Sequence, residues 1–146
     1  MSLVSRTTAA SGTSFRTPER PLLIAIVDDD AAVLRALKRL LRTAGMTART
    51  FANGEQFFAR LETPPAFAPD CVILDVCLKG ASGLEIQERL RGRGRRVPVV
   101  FMSGYDEPAA RGRAISGGAA AFLRKPFRSS LLFEALATAI GPSLRG

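Results

Sequence analysis

The feature that most constrains this chain is a set of short, uninterrupted apolar runs, each stopping at a polar residue able to do chemistry. Residues 22–27 stop at Asp28, Asp29 and Asp30, residues 71–74 at Asp75, and residues 97–102 at Ser103, while residues 119–123 are followed by Lys125. Runs this short and this apolar suit strands buried on both faces, the condition of a parallel sheet covered by helices. The segments between them supply the helices. Asp30 is placed to cap one in which Val33, Leu34, Leu37, Leu40, Leu41 and Ala44 recur at three and four. Arg35, Lys38, Arg39 and Arg42 fall on its opposite side, and Gly45 is a natural stop.

The same rhythm continues to the end of the chain. Residues 47–51 read as an outer strand, and Asn53 as the cap of a small helix that buries Phe57, Phe58 and Leu61. Pro64, Pro65 and Pro69 then forbid helix. Residues 79–83 carry turn chemistry, residues 84–90 resume helical spacing through Ile86 and Leu90, and residues 91–96 read as a loop. Asp106 is placed to cap the next helix, which should be the weakest, because Gly112 in its middle costs about 1 kcal/mol relative to Ala. Gly117 and Gly118 stop it, Lys125 and Pro126 make a break, and Ser129 is expected to cap a closing helix through Leu132, Leu136 and Ile140. Strand and helix thus alternate five times, which selects an α/β sandwich with a parallel sheet and right-handed crossovers. The expected organisation is a flexible tail over residues 1–20, one domain over 21–141 and a short tail over 142–146.

Composition narrows the function. With 146 residues, 47% of them hydrophobic and 23% charged, the chain has the balance of a single ordinary globular domain. No apolar run approaches the roughly 18 residues that cross a bilayer, and the amino terminus lacks an export signal, so the cytoplasm is the expected compartment. Residues 1–20 are rich in Ser, Thr, Ala and Arg, which also fits a transit peptide, although a flexible tail is the preferred reading. Cys71 and Cys77 are too few and too closely spaced for a zinc site or a disulfide framework, and fit free thiols. The chain has no histidine, which excludes Ser-His-Asp and Cys-His nucleophiles, histidine metal clusters and a histidine phosphodonor. The net charge of +8 hints at a polyanion partner. Part of that excess sits in the tail and part in the run Arg89, Arg91, Arg93, Arg95 and Arg96, where no aromatic residues interleave it, so nucleic-acid contact is not the preferred reading.

In an open parallel sheet, ligands bind beyond the carboxyl ends of the strands. Asp28, Asp29, Asp75, Ser103 and Lys125 all follow strand ends and would converge on one rim. Carboxylates about 4 Å apart repel by roughly 4 kcal/mol at an effective dielectric of about 20, so the cluster needs a cation or protons. Mg²⁺ suits it, because it takes oxygen ligands and is commonly shared between one or two carboxylates and a phosphate. With the ammonium of Lys125 and the hydroxyl of Ser103 aimed at the same place, the set describes a site that accepts a phosphoryl group.

Four pieces carry a resemblance: IVDDD at 26–30, ILDVCLKGASGLE at 73–85, VVFMSGYDE at 99–107 and AFLRKPF at 121–127. In this order the sequence resembles a receiver domain of bacterial two-component response regulators, most nearly those of helix-turn-helix transcriptional regulators. The resemblance implies a flavodoxin-like (βα)5 three-layer sandwich with strand order 2-1-3-4-5. It implies that Asp75 is the phosphoacceptor, that Asp29, Asp75 and the backbone carbonyl of Cys77 bind Mg²⁺, and that Asp28 holds a water of the metal. Lys125 and Ser103 would grip the phosphoryl oxygens, Ser103 and Phe122 would form the switch, and the bond before Pro126 would be cis. Implied partners are a histidine kinase or phosphotransfer protein, a downstream effector protein, and a second copy through the face of the fourth helix, fifth strand and fifth helix. Neither a membrane nor nucleic acid is expected. The protein would be a switch that catalyses only its own phosphorylation and dephosphorylation, and a stand-alone receiver without a helix-turn-helix module is the expectation.

Three departures from the family pattern involve four positions. Lys79 stands where the family usually has Pro, Gly112 replaces a usual apolar residue, and Cys77 and Tyr105 occupy positions that tune phosphate lifetime. Three rival readings follow from the residues. One is an interaction module that keeps the fold without cycling phosphate, its pocket neutralised by Lys79. Another is a nucleic-acid binder using the basic loop and tail. The last is a small phosphohydrolase, disfavoured because no second acid follows Asp75 at short spacing.

Overall fold

The computed structural model describes residues 20–145 except Asp106, with side chains described as far as Gly141. Residues 1–19 and the expected cap Asp106 lie outside the described residues. The elements are β1 Leu23–Val27, α1 Ala31–Thr43, β2 Thr47–Phe51, α2 Gly54–Glu62, β3 Cys71–Asp75, α3 Gly83–Gly92, β4 Val99–Ser103, α4 Pro108–Ser116, β5 Ala121–Arg124 and α5 Ser129–Arg145. All strand pairs are parallel, in the order β2-β1-β3-β4-β5. The alternation of apolar strands and amphipathic helices predicts the α/β sandwich, and the strand order is the flavodoxin-like one that the resemblance implies.

Two cores form because successive strand residues face opposite sides of the sheet. Val27, Leu74 and Phe101 meet Phe57, Ile86, Leu90 and Ala114 from α2, α3 and α4. Ile26, Ile73 and Met102 meet Leu37, Leu41, Leu132 and Leu136 from α1 and α5. Asp30 caps α1 by accepting from the N–H groups of Ala32 and Val33, and Asn53 caps α2 through Gln56. Gly45 follows α1 with φ +81°, a conformation that an L side chain rarely adopts. Among the described residues no helix is long and apolar enough to cross a membrane.

Several boundaries differ from the sequence expectation. Helix α3 takes in Arg91 and Gly92, which were expected in a loop. At its start a capping box fixes the first turn: the Ser82 hydroxyl accepts from the Glu85 N–H, and the Glu85 carboxylate accepts from the Ser82 N–H. Strand β4 starts at Val99 and not at Val97, because Pro98 has no N–H to give to a ladder. Ser129 opens α5 instead of capping it, and the Arg128 carbonyl accepts from Leu131 and Leu132. The same helix runs through Gly141 to Arg145 where a tail was expected. Its seam of Leu132, Leu136 and Ile140 is buried in the core and holds the helix past a weak residue. Arg20, expected in a flexible tail, forms two hydrogen bonds with the Asp70 carboxylate, at 2.9 and 3.1 Å.

Candidate functional site

The sheet delivers four charged side chains to one place. Asp28 follows β1 and is fully buried, and Asp75 ends β3 at 7% exposure, while Asp29 is exposed. Carboxylate oxygens of Asp28, Asp29 and Asp75 lie within 4.8 Å of one another. Lys125, just past β5, places its Nζ 3.0 Å from Oδ2 of Asp28 and 3.0 Å from Oδ2 of Asp75. Its backbone N–H donates to the Ser103 carbonyl, and the Lys125–Pro126 bond is cis. The remaining carboxylate oxygens are oriented by backbone: Oδ1 of Asp75 accepts from the Cys77 N–H at 2.9 Å, and Oδ1 of Asp28 from the Asp30 N–H at 2.8 Å.

Charge does not balance in this pocket. Burial pushes the Asp28 carboxyl up, and its hydrogen bonds from Asp30 and Lys125 only partly offset that. Burial alone would pull the Lys125 ammonium down, but its hydrogen bonds to Asp75 and Asp28 outweigh it and hold the charged form. One ammonium therefore faces three carboxylates, and an all-oxygen donor set carrying excess negative charge fits a hard divalent cation such as Mg²⁺.

The other expected site residues are placed less directly. Ser103 ends β4 almost fully buried, but its hydroxyl donates to the Tyr105 carbonyl at 2.9 Å and accepts from the Tyr105 N–H at 3.1 Å, closing a turn. Phe122 is half-buried in β5, 6.2 Å from the Phe101 ring, with the Arg111 guanidinium 5.3 Å from its centroid. Cys77 and Lys79 are exposed. Gly83 is a residue the sequence reading missed. A Cβ there would sit 2.3 Å from the Asp75 carbonyl oxygen, so only glycine lets α3 start against the end of β3. Its neighbour Ser82, with Glu85 three residues on, was a readable signal for the start of α3 but not for this close approach.

The response regulator receiver domain family matches residues 24–137. The response regulator protein TmoT of Ectopseudomonas mendocina is 39% identical over 118 residues, 81% of this chain and 52% of its own length. TodT of Pseudomonas putida is 37% identical over 122 residues, 84% of this chain and 52% of its own length. The chain thus spans about half the length of these relatives. Among solved structures, a response regulator receiver protein from Burkholderia phymatum is 42% identical with a TM-score of 0.74, the match covering 82% of this chain and 95% of that one. The response regulator StyR is 32% identical with a TM-score of 0.74, over 84% of this chain and 60% of its own. Together with the acidic pocket and its bridging lysine, these matches establish that the chain belongs to the response regulator receiver domain family.

Proposed function

We propose that Asp75 accepts a phosphoryl group from a histidine kinase or phosphotransfer protein in the cytoplasm, and that the chain changes shape in response. The observation that carries this reading is the bridge of Lys125 Nζ, 3.0 Å from both Asp28 and Asp75. In the step, a carboxylate oxygen of Asp75 forms a bond to phosphorus as the phosphorus–nitrogen bond of the donor breaks, and the electron pair leaves with the imidazole. The Cys77 N–H holds Oδ1 of Asp75, which leaves Oδ2 as the attacking oxygen. Lys125 then passes from Oδ2 to a phosphoryl oxygen, keeping one charge-assisted hydrogen bond throughout. Asp28, Asp29, Asp75 and the Cys77 carbonyl would hold Mg²⁺, which supplies neutralisation of the charge gathered on the transferring group.

The response starts at Ser103. Its hydroxyl leaves the Tyr105 turn for the phosphoryl group, and Phe122 turns inward, changing the face of α4, β5 and α5 that an effector or a second copy reads. The protein is on this reading a switch that turns over only its own phosphate. Against a phosphorylation-independent module stands Lys79: it is exposed and pairs with none of the three acids among the described residues. Intact-mass analysis after incubation with a small acyl phosphate tests the reading. One phosphoryl adduct, dependent on Mg²⁺ and absent from Asp75→Asn, is expected. No adduct together with no Mg²⁺ binding overturns it in favour of the module.

A further inference from the structure

A second concave feature lies at the opposite end of the sheet from the acidic pocket, where the C-terminal turns of α3 and α4 flank the approach to β4. It is a groove of about 550 Å³ floored by the half-buried Val97 and Pro98 and rimmed by Arg91, Arg95 and Arg96. An adjoining hollow of about 220 Å³ shares Gln87, Arg91 and Gly117 with it and adds Arg113 and Glu88. Four guanidinium groups therefore face one carboxylate. The two helix C-termini contribute about half a negative charge each, so a net of roughly two positive charges remains.

These arginines differ from two others at the C-terminal end of α3. Arg89 and Arg93 are committed, paired with Glu55 and Glu62 and stacked over the Phe58 ring at 4.0 and 4.9 Å. By contrast, none of the four groove arginines pairs with a carboxylate among the described residues. Arg91 donates to the Gly117 carbonyl and Arg95 to the Leu61 carbonyl, which orients each head while leaving most of its five donors unused. Arg91 and Arg95 are thus oriented with donors to spare, which lowers the ordering cost of binding an anion there, while Arg96 and Arg113 add charge to the rim.

Shape selects the ligand. A concave groove with an apolar floor does not match the convex backbone of a duplex, and no aromatic side chain lines it to stack a single-stranded base. Carboxylates pair with guanidinium groups in bidentate fashion, and an extended chain brings alternate side chains to the same side. We propose that this groove binds an acidic peptide segment of a partner protein, with an apolar side chain over Val97 and Pro98 and flanking Asp or Glu residues on the arginines. This site is independent of the acceptor pocket.

The test uses the full chain and a fluorescein-labelled peptide built on Glu-Ser-Leu-Ser-Glu, which puts Leu and both Glu on one side of an extended chain, read by anisotropy. Arg96 and Arg113 donate no hydrogen bond among the described residues, so Arg96→Glu with Arg113→Glu removes groove charge without breaking an internal contact. Affinity is expected to fall about tenfold or more in that double variant. The control Lys38→Glu with Arg39→Glu on α1, an equal change of net charge, should lose less than about threefold. Equal losses in both, or no saturable binding, overturn the proposal. So does a duplex DNA of matched charge that binds more tightly and is lost in the groove variant. Amide shifts in the unsubstituted protein give a second readout that does not depend on a variant folding: peptide shifts should centre on Val97, Val99, Gly117 and Gly118, and shifts centred elsewhere count against the site.

Discussion

Helices α3 and α4 lie side by side on the same face of the sheet and are held there by opposite means. Helix α3 starts from a capping box, buries Leu84, Ile86, Gln87 and Leu90, and is tied to α2 by arginines stacked on Phe58. Helix α4 starts at Glu107 without a side-chain cap, buries only Ala110 and Ala114, and leaves Ile115 half in water. Burying a Leu or Ile side chain is worth about 1.5–3 kcal/mol against about 0.8 for a methyl group, so the two helices differ by several kcal/mol in apolar anchorage. The loosely held helix is the one that follows Ser103 and whose Arg111 covers Phe122. Anchorage along this face of the sheet is therefore uneven, strong at α3 and weak at α4.

The largest effect should come from the tight side. Gly83→Ala drives a Cβ to 2.3 Å from the Asp75 carbonyl oxygen and 3.1 Å from the Phe101 ring, and backbone must shift. A loss of about 3 kcal/mol or more is expected, lowering Tm by roughly 10 °C in a thermal melt, together with loss of Asp75 phosphorylation. An unchanged melt would mean that α3 is not fixed against β3 as described.

The caps give a smaller and cleaner contrast. Ser82→Ala removes one half of a reciprocal pair and should cost about 1 kcal/mol in urea unfolding, whereas Glu107→Ala, at an N-terminus with no side-chain cap, should cost close to nothing. Equal losses would erase the asymmetry. Gly112→Ala should move in the other direction. A Cβ there meets nothing within 4 Å, so replacing glycine in the helix interior should stabilise by about 0.5–1 kcal/mol and slow amide exchange in α4 alone. If slower exchange in α4 also weakens the response to phosphorylation, the looseness of this helix is part of the switch.

How much of this was legible in the sequence depends on the range of the interaction. Local signals were readable: Asp30 and Asn53 cap where expected, and the apolar runs became the strands that bring Asp28, Asp29, Asp75 and Lys125 together. Weakness in α4 was visible from Gly112, although the absence of a side-chain cap and of large buried residues carries more of it. Close approach was not readable, since nothing in the residues around Gly83 says that a carbonyl of β3 will lie against it. Nor was the state of Ser103, whose hydroxyl closes a turn with Tyr105 that its neighbours in sequence do not announce. The extent of α5 was misread because Gly141 carries a local stop signal, while the seam that overrides it is tertiary.

The smallest expected effect serves as a control on the comparison, because it acts at the far end of the sheet. Burial works to raise the Asp70 carboxyl, but the hydrogen bond from Arg20, the Leu23 N–H and the Arg20 charge outweigh it and hold Asp70 below the usual carboxylate range. A carboxyl whose pKa is lowered by folding contributes stability that is present above the unfolded value of about 3.9 and is lost as pH falls through the lowered folded value. Arg20 is 60% exposed, so solvent screens the pair and its worth stays below about 1 kcal/mol. In urea unfolding, Asp70→Asn should therefore be slightly less stable than the unsubstituted chain at neutral pH, with the gap closing below pH of about 4. Amide exchange near neutral pH should show the same difference between α3 and α4 in both proteins. If removing Asp70 narrows that difference, the two helices report the strength of the whole sheet and not their own anchorage, and the division into a fixed and a movable helix fails.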